Sequence, residues 1–210
     1  MKTDNENAIR RVPQQERSRQ KVTTILDTAM RLFQESGMDS ISMREIARAC
    51  QMPIATVYQY FPNKHAIVQK IWEGHSSDAE TLLANELAAL QSTPTTASAR
   101  RVIDRIVDSA INDHESNPAF LEIRRCVDAT PDLRKLNLEN TLRVADLIRK
   151  MIVTINPQAD EAQIANYALI ITQTTSSTVR LGQQLPARRR DELYASLKSF
   201  LLQTVESMAD

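Results

Sequence analysis

The stretch from Ser42 to Lys64 constrains the fold of this chain more than any other part of it. It reads SMREIARACQMPIATVYQYFPNK. Ser42-Met43-Arg44-Glu45 has the form of a capping box: the Ser42 hydroxyl accepts from the Glu45 backbone N–H, and the Glu45 carboxylate reaches back to the N–H of Ser42. Ile41 precedes the cap and Ile46 follows it within the first turn, the arrangement of a hydrophobic staple. A short helix therefore starts at a defined residue and runs to about Cys50, with Ile46, Ala47 and Cys50 inward. Gln51-Met52-Pro53 interrupts it, and proline suits the first turn of a following helix because its missing N–H costs nothing there. In that second short helix Ile54, Val57, Tyr58 and Phe61 share an inner side, while Ala55, Thr56, Gln59 and Tyr60 lie outward. Pro62-Asn63 ends it, and Asn63 can cap a helix opening at Lys64. Ahead of this stretch, Val22, Ile25, Leu26, Ala29, Leu32 and Phe33 recur at helical spacing between Glu16 and Ser36, and Gly37 supplies a left-handed stop. A long helix, a short helix, a tight turn and a second short helix make a helix-turn-helix plan, with the second short helix placed to read a nucleic-acid groove.

The remainder points to helices as well. Glycine is confined to Gly37, Gly74 and Gly182, and alternating β-branched runs are missing, so an all-α chain is expected. Proline punctuates it at Pro94, Pro118, Pro131, Pro157 and Pro186. Helices are expected near 64–91 (as one helix, or as two broken near Gly74), 98–115, 118–128, 131–155, 160–182 and 187–208, with Asp160-Glu161-Ala162-Gln163 as another capping box. Residues 1–15 read as a flexible basic arm, 16–66 as a small DNA-binding domain and 67–210 as a larger helical domain.

Charge separates the two ends. The chain is formally neutral, with 26 Lys and Arg against 26 Asp and Glu. The first 64 residues carry ten basic and seven acidic side chains, so the remaining ones are acidic by the same margin. Arg10, Arg11, Arg17, Arg19 and Lys21, opposed by Glu16, concentrate the excess, as expected if only the head meets a polyanion. Cys50 and Cys126 lie in apolar helical patterns without a C-x-x-C partner and read as reduced, buried thiols. The first residues are polar rather than cationic and then apolar, and the longest nearly apolar run, 165–171, is too short to cross a bilayer. A cytoplasmic protein with no membrane partner is expected. No G-x-S-x-G, H-E-x-x-H, phosphate-binding glycine loop or Cys/His cluster occurs, so neither catalysis, nor a cofactor, nor a metal is expected.

Ser42 to Lys64 closely resembles the DNA-binding signature of the TetR family of transcriptional regulators. The shared features are the hydroxyl-capped second helix, the Ile46-Ala47 pair, Thr56-Val57-Tyr58, Tyr60-Phe61 and the lysine opening the fourth helix. The resemblance is specific over residues 16–66 and architectural beyond. Two departures stand out. The turn has Gln51 where the family usually has glycine, which asks a non-glycine residue for positive φ. Pro53 stands where serine commonly caps the reading helix, which leaves the cap to the backbone or starts the helix one residue early.

Position by position, Ser42 and Thr56 can donate to phosphate, and Lys64 adds charge to outward N–H groups at a helix N-terminus, the makings of a phosphate site. Gln59 faces outward and can pair with adenine, beside Ala55 on the same side. By resemblance, Arg44 reaches a guanine edge, while Tyr58 and Tyr60 contact phosphate and thymine methyl. Tyr58 lies on the inner side too, and core packing is its other reading. The resemblance further implies a ligand cavity among the middle helices and a homodimer through the last two. Trp72, His75, His114, Phe120, Arg124, Tyr167 and Gln173 are cavity candidates by position, each with packing or surface exposure as its alternative. Ile164, Ala168, Ile171, Thr175 and Val179 form one apolar stripe, and Leu193, Leu197, Phe200, Leu201, Thr204 and Met208 another. Part of each must serve the core, and the rest can pair with a second copy. Arg188-Arg189-Arg190 reads as a solvated rim. The implied function is a ligand-responsive repressor that binds double-stranded, two-fold operator DNA and is released by an apolar small molecule. Two other readings stand beside it: a ligand-independent regulator or activator of the same fold, and a helical small-molecule-binding protein without DNA reading.

Overall fold

The computed structural model describes residues 14–116, 119–158 and 160–208, apart from the side chains at 14, 96 and 114. Most of the expected basic arm and the helix start expected at Pro118 lie outside the described residues. Within them there are nine helices and no strand: α1 (Gln14–Ser36), α2 (Met43–Ala49), α3 (Ile54–Tyr60), α4 (Lys64–Ser92), α5 (Thr96–Ser116), α6 (Phe120–Ala129), α7 (Pro131–Ile155), α8 (Glu161–Gly182) and α9 (Ala187–Glu206). The chain is thus all-α, as its scarcity of glycine and its helical periodicity imply. It divides into two compact units, Met1–Ile67 and Val68–Asp210, the division falling inside α4.

The first unit is built around Ile25, Ala29 and Phe33 of α1, Ile46 and Ala47 of α2 and Val57 of α3, all buried, with Phe61 just beyond. Full burial of each large apolar side chain is worth roughly 1.5–3 kcal/mol, enough for three helices of which two span only two turns. Gly37 ends α1 at φ 75°, its N–H bonded to the Phe33 carbonyl at 2.9 Å. At the start of α2 both halves of the capping box form, and Ile41 and Ile46 are buried beside it. α2 then closes in a Schellman arrangement. Met52 N donates to the Ala47 carbonyl and Gln51 N to that of Arg48, both at 3.0 Å, which puts Gln51 in the left-handed region at φ 55°. Pro53 caps α3 without a side-chain bond, its carbonyl accepting from Thr56 N at 2.8 Å.

In the second unit α7 and α8, joined by the short segment 156–160, make the most extensive helix pair. Their inner faces and that of α9 share a core containing Ile148, Ile152, Ile164, Ala168, Ile171, Val179, Leu197 and Leu201. Two buried polar groups in this unit are paired across helices. Asn156 Nδ2 donates to the Val205 carbonyl at 2.8 Å, and the Tyr194 hydroxyl to that of Val179 at 2.9 Å. The Tyr194 ring lies so close to Gly182 that a Cβ there would sit 2.4 Å from it. Only glycine lets α8 and α9 approach in this way.

Several expectations are corrected. Of the two readings of the fourth helix the single one holds: α4 runs unbroken through Gly74, which faces solvent while Ile71, Trp72 and Ser76 beside it anchor the same helix. The expected box at Asp160 forms in one direction, Gln163 N donating to Asp160 Oδ1 at 2.8 Å. Tyr58, grouped with the inner side of α3, is 50% exposed: in so short a helix Val57 holds the inward position and its neighbour turns about 100° away. Cys50 is half-buried at the end of α2 rather than buried within it. The five-residue stripe on α8 is buried within the chain, whereas on α9 the core takes Tyr194, Leu197, Leu201, Leu202 and Val205 and leaves Phe200 51% exposed.

Candidate functional site

Two places in the molecule bring the singled-out residues together. The first is the outer face of α2 and α3. Ala55, Tyr58 and Gln59 are exposed on α3, with Thr56 and Tyr60 half-buried at its edges, and Arg44 is exposed on α2. Arg44 makes no ion pair among the described residues, so its guanidinium is available. Tyr60 is steadied from α1, its hydroxyl accepting from Ser18 Oγ at 3.3 Å. Ser42 is exposed but committed to the capping box: its hydroxyl donates to Glu45 Oε2 at 2.7 Å and accepts from Glu45 N at 3.2 Å. The Ser42 hydroxyl and backbone N–H hold the Glu45 carboxyl below its ordinary value of 4.5. Lys64 opens α4, and its Nζ donates to the Met38 carbonyl at 2.8 Å, so the ammonium rests against the α1–α2 connection. Asn63 Oδ1 accepts from Ala66 N at 2.9 Å and fixes the start of α4. Arg17, Arg19 and Lys21 are exposed on α1. Exposed aromatic, amide and guanidinium groups on two short helices, flanked by lysine and arginine, form a surface that can hydrogen-bond base edges and phosphates.

The second place is a cavity of about 220 Å3 inside the second unit, walled mainly by aliphatic side chains of α4, α5, α7, α8 and α9. One end is aromatic and polar. Trp72 and Phe120 lie 5.5 Å apart between ring centroids, His75 meets Phe120 edge-on at 4.6 Å, and the Arg124 guanidinium lies over the Trp72 ring at 5.4 Å. Arg124 Nε donates to both carboxylate oxygens of Asp128, at 3.1 and 3.2 Å. Of the residues singled out from the sequence, Trp72, His75, Phe120, Arg124 and Gln173 line this cavity. Gln173 does so from an exposed rim position. Tyr167 does not line it, standing roughly 120° round α8 from Gln173, and the His114 side chain lies outside the described residues. Sequence reasoning missed Ser76, Asn140 and Asp113, which also line it. Asn140 Nδ2 donates to Ser76 Oγ at 2.7 Å, and His75 faces Asp113 at 3.9 Å. An asparagine interrupting the inner stripe of α7 between Leu133 and Ala145 was the available signal.

A helix-turn-helix with an open outer face defines a DNA-binding regulator, and comparison with known proteins gives its family. Residues 25–71 match the family model of bacterial regulatory proteins of the tetR family, and residues 97–209 match that of the tetracyclin repressor-like C-terminal domain. The chain belongs to the TetR family and is a DNA-binding transcriptional regulator. It is 29% identical over 99 residues to the HTH-type transcriptional regulator AcrR of Shigella flexneri, an alignment covering 47% of this chain and 45% of that one. The chain therefore spans less than half the length of this curated relative. Its fold is that of the SmeT–triclosan complex (TM-score 0.67, 16% identity, 90% of each chain). It is also that of a putative transcriptional regulator from Saccharomonospora viridis in complex with choline (TM-score 0.66, 19% identity, 87% of this chain and 96% of that one). No helix among the described residues is long and apolar enough to cross a membrane.

Proposed function

We propose that this chain is a ligand-responsive repressor that binds two-fold operator DNA as a homodimer and is released when an apolar small molecule enters the cavity of the second unit. The cavity carries the reading: a largely aliphatic hollow with a few polar groups among its walls is the usual form of a small-molecule site. Two relatives in fold hold triclosan and choline. Residues 16–66 act as the DNA-binding domain and 67–210 as the sensing and dimerising domain. Thr56 and Lys64 take phosphates, joined by Ser42 when its hydroxyl turns from Glu45 to the backbone of the duplex, Arg44 and Gln59 read base edges, and Ala55, Tyr58 and Tyr60 complete the contact. Trp72, His75, Phe120, Arg124 and Gln173 contact the effector. A two-fold operator requires two reading heads. Exposed Ile170 and Leu181 on α8 and Phe200 on α9 suit a second copy. Repression is relieved through a coupling free energy, the ligand favouring a dimer that fits the operator poorly. α4 carries Lys64 at its first residue and Trp72 in the cavity wall, which makes it the covalent link between the two events.

The test is fluorescence anisotropy with duplex DNA selected from a random pool. Arg44→Ala and Gln59→Ala each cost roughly 1–3 kcal/mol against the selected site and relax preference at particular positions. Lys64→Ala weakens all duplexes and lowers the salt slope by about one. Variants that keep the wild-type preference overturn the DNA-reading assignment.

A further inference from the structure

Trp72 is the only tryptophan of the chain, and it is 4% exposed. Its Nε1–H, although buried, has no hydrogen-bond partner among the described residues. An indole N–H is a donor only, so nothing but an acceptor completes it. The polar side chains around it are already engaged: Ser76 with Asn140, Asn140 also with Arg143, and His75 with Asp113. Arg124 supplies a positive charge beside the same indole, and both of its hydrogen bonds to Asp128 leave from Nε rather than from the two terminal amino groups. Its position over the ring also occupies the face that a ligand cation would use. Away from this end the walls are mostly aliphatic, with Leu83, Ile106, Ile148, Met151 and Ile171 among them, although α8 also contributes Thr172, Thr175 and Ser176.

We propose that the effector is an apolar carboxylic acid, its carboxylate accepting from Trp72 Nε1 beside Arg124 and its apolar body lying along the aliphatic walls. This rests on the reading of the cavity as an effector site. It fixes the orientation of the ligand, with the head at α4 and α6 and the tail towards α7, α8 and α9. It also separates this chain from its choline-bound relative in fold, because a quaternary ammonium offers the indole N–H no acceptor and meets the Arg124 charge.

The experiment is calorimetric titration of the full-length chain, below micellar concentrations, with decanoate and phenylbutyrate. Each is compared with its methyl ester, its alcohol and its trimethylammonium counterpart. The carboxylates are expected to bind roughly tenfold or more tightly than the alcohols, the value of a hydrogen bond to a charged group, and the ammonium compounds most weakly. Trp72 emission, which reports on this one side chain, is expected to shift with the carboxylates. Trp72→Phe keeps a ring and removes the N–H, so it is expected to reduce the preference for carboxylate over alcohol several-fold, Arg124 retaining the rest, while apolar binding persists. Arg124→Gln is expected to weaken the carboxylates and leave the alcohols unchanged, and it carries the test should Trp72→Phe lose helicity. Equal affinity across head groups, or a preference that survives both substitutions, overturns the head-group assignment and leaves the cavity reading standing. Failure of every compound to bind overturns the cavity reading and the assignment together.

Discussion

Gln51→Gly tests the account of the helix-turn-helix at its most strained residue. Gln51 sits at φ 55° because the closing bonds of α2, Met52 N to Ala47 and Gln51 N to Arg48, require a left-handed residue at that step. A side chain with a Cβ pays roughly 1–2 kcal/mol for that conformation. Glycine removes this cost but surrenders about 0.5–1 kcal/mol of unfolded-chain entropy. The difference spans about 0–1.5 kcal/mol and centres on a net stabilisation of roughly 0.5–1 kcal/mol for Gln51→Gly. Gln51→Ala, which keeps a Cβ, gains nothing. Gln51 is exposed and makes no side-chain hydrogen bond among the described residues, so no contact is lost. The assay is amide exchange at Met52 and Gln51, whose N–H groups close the motif, so that local opening is read directly. Exchange at both is expected to slow by a factor of about two to five in Gln51→Gly. Equal or faster exchange, with α2 otherwise intact, would show that the left-handed residue carries no strain here.

Three further outcomes follow from specific contacts. Phe200→Glu places a charge on an exposed ring of α9, so helicity is kept while self-association weakens by several kcal/mol if the ring is covered by a second copy; analytical ultracentrifugation reads this, and wild-type association in the variant removes Phe200 from the interface. Leu201→Glu, by contrast, buries its charge in the chain's own core and lowers helicity. Gly182→Ala drives a methyl group into the Tyr194 ring and is expected to lower the stability of the second unit by roughly 1–3 kcal/mol, measured by chemical denaturation. Because Glu45 is held below its ordinary value of 4.5 when folded, the support it gives α2 is complete above that value and is lost as pH falls through the folded one; amide protection in α2, taken relative to the intrinsic exchange rate at each pH, is expected to fall on acidification below pH 4.5, and to do so much less in Glu45→Gln.

The head of the molecule was legible because its signals are local. A capping box, a staple, a glycine stop and a proline break each act within a turn of chain, and the structure puts α2 and α3 where those residues require. The demand on Gln51 was legible too, since a turn of that length needs a left-handed residue whatever occupies it. Tyr58 was misjudged because one position on a two-turn helix decides between core and solvent, and periodicity there has too few repeats to average. The stripes of α8 and α9 were legible as stripes, but not in their division between the chain's own core and its outer surface. Phe200 and Leu201 are adjacent and equally apolar, and only packing separates them. The cavity is a product of tertiary arrangement. No pattern along the chain says that Trp72 and Phe120 stack, that Asn140 finds Ser76, or that Tyr167 faces elsewhere.

The same cavity sets the final prediction. A void of about 220 Å3, at about 24 cal/mol per Å3, forgoes up to roughly 5 kcal/mol of packing, and the unpaired Trp72 N–H adds about 1–3 kcal/mol more. A small helical unit with a total stability of roughly 5–15 kcal/mol does not carry such a deficit without consequence. Filling the space from within therefore has two linked effects. Val144→Phe, from the α7 wall, adds apolar volume where none must be displaced, and is expected to raise the stability of the ligand-free unit by about 1–3 kcal/mol, since each newly buried CH2 is worth about 0.8 kcal/mol. It also takes the space of the ligand's tail, so the ligand-dependent rise in melting temperature disappears, while operator binding without ligand is retained. Thermal denaturation with and without decanoate, followed by anisotropy on operator DNA, separates these effects. A destabilised Val144→Phe that still binds ligand would mean that the volume between the helices is already filled by motion of its walls, and that the deficit assigned to it does not exist.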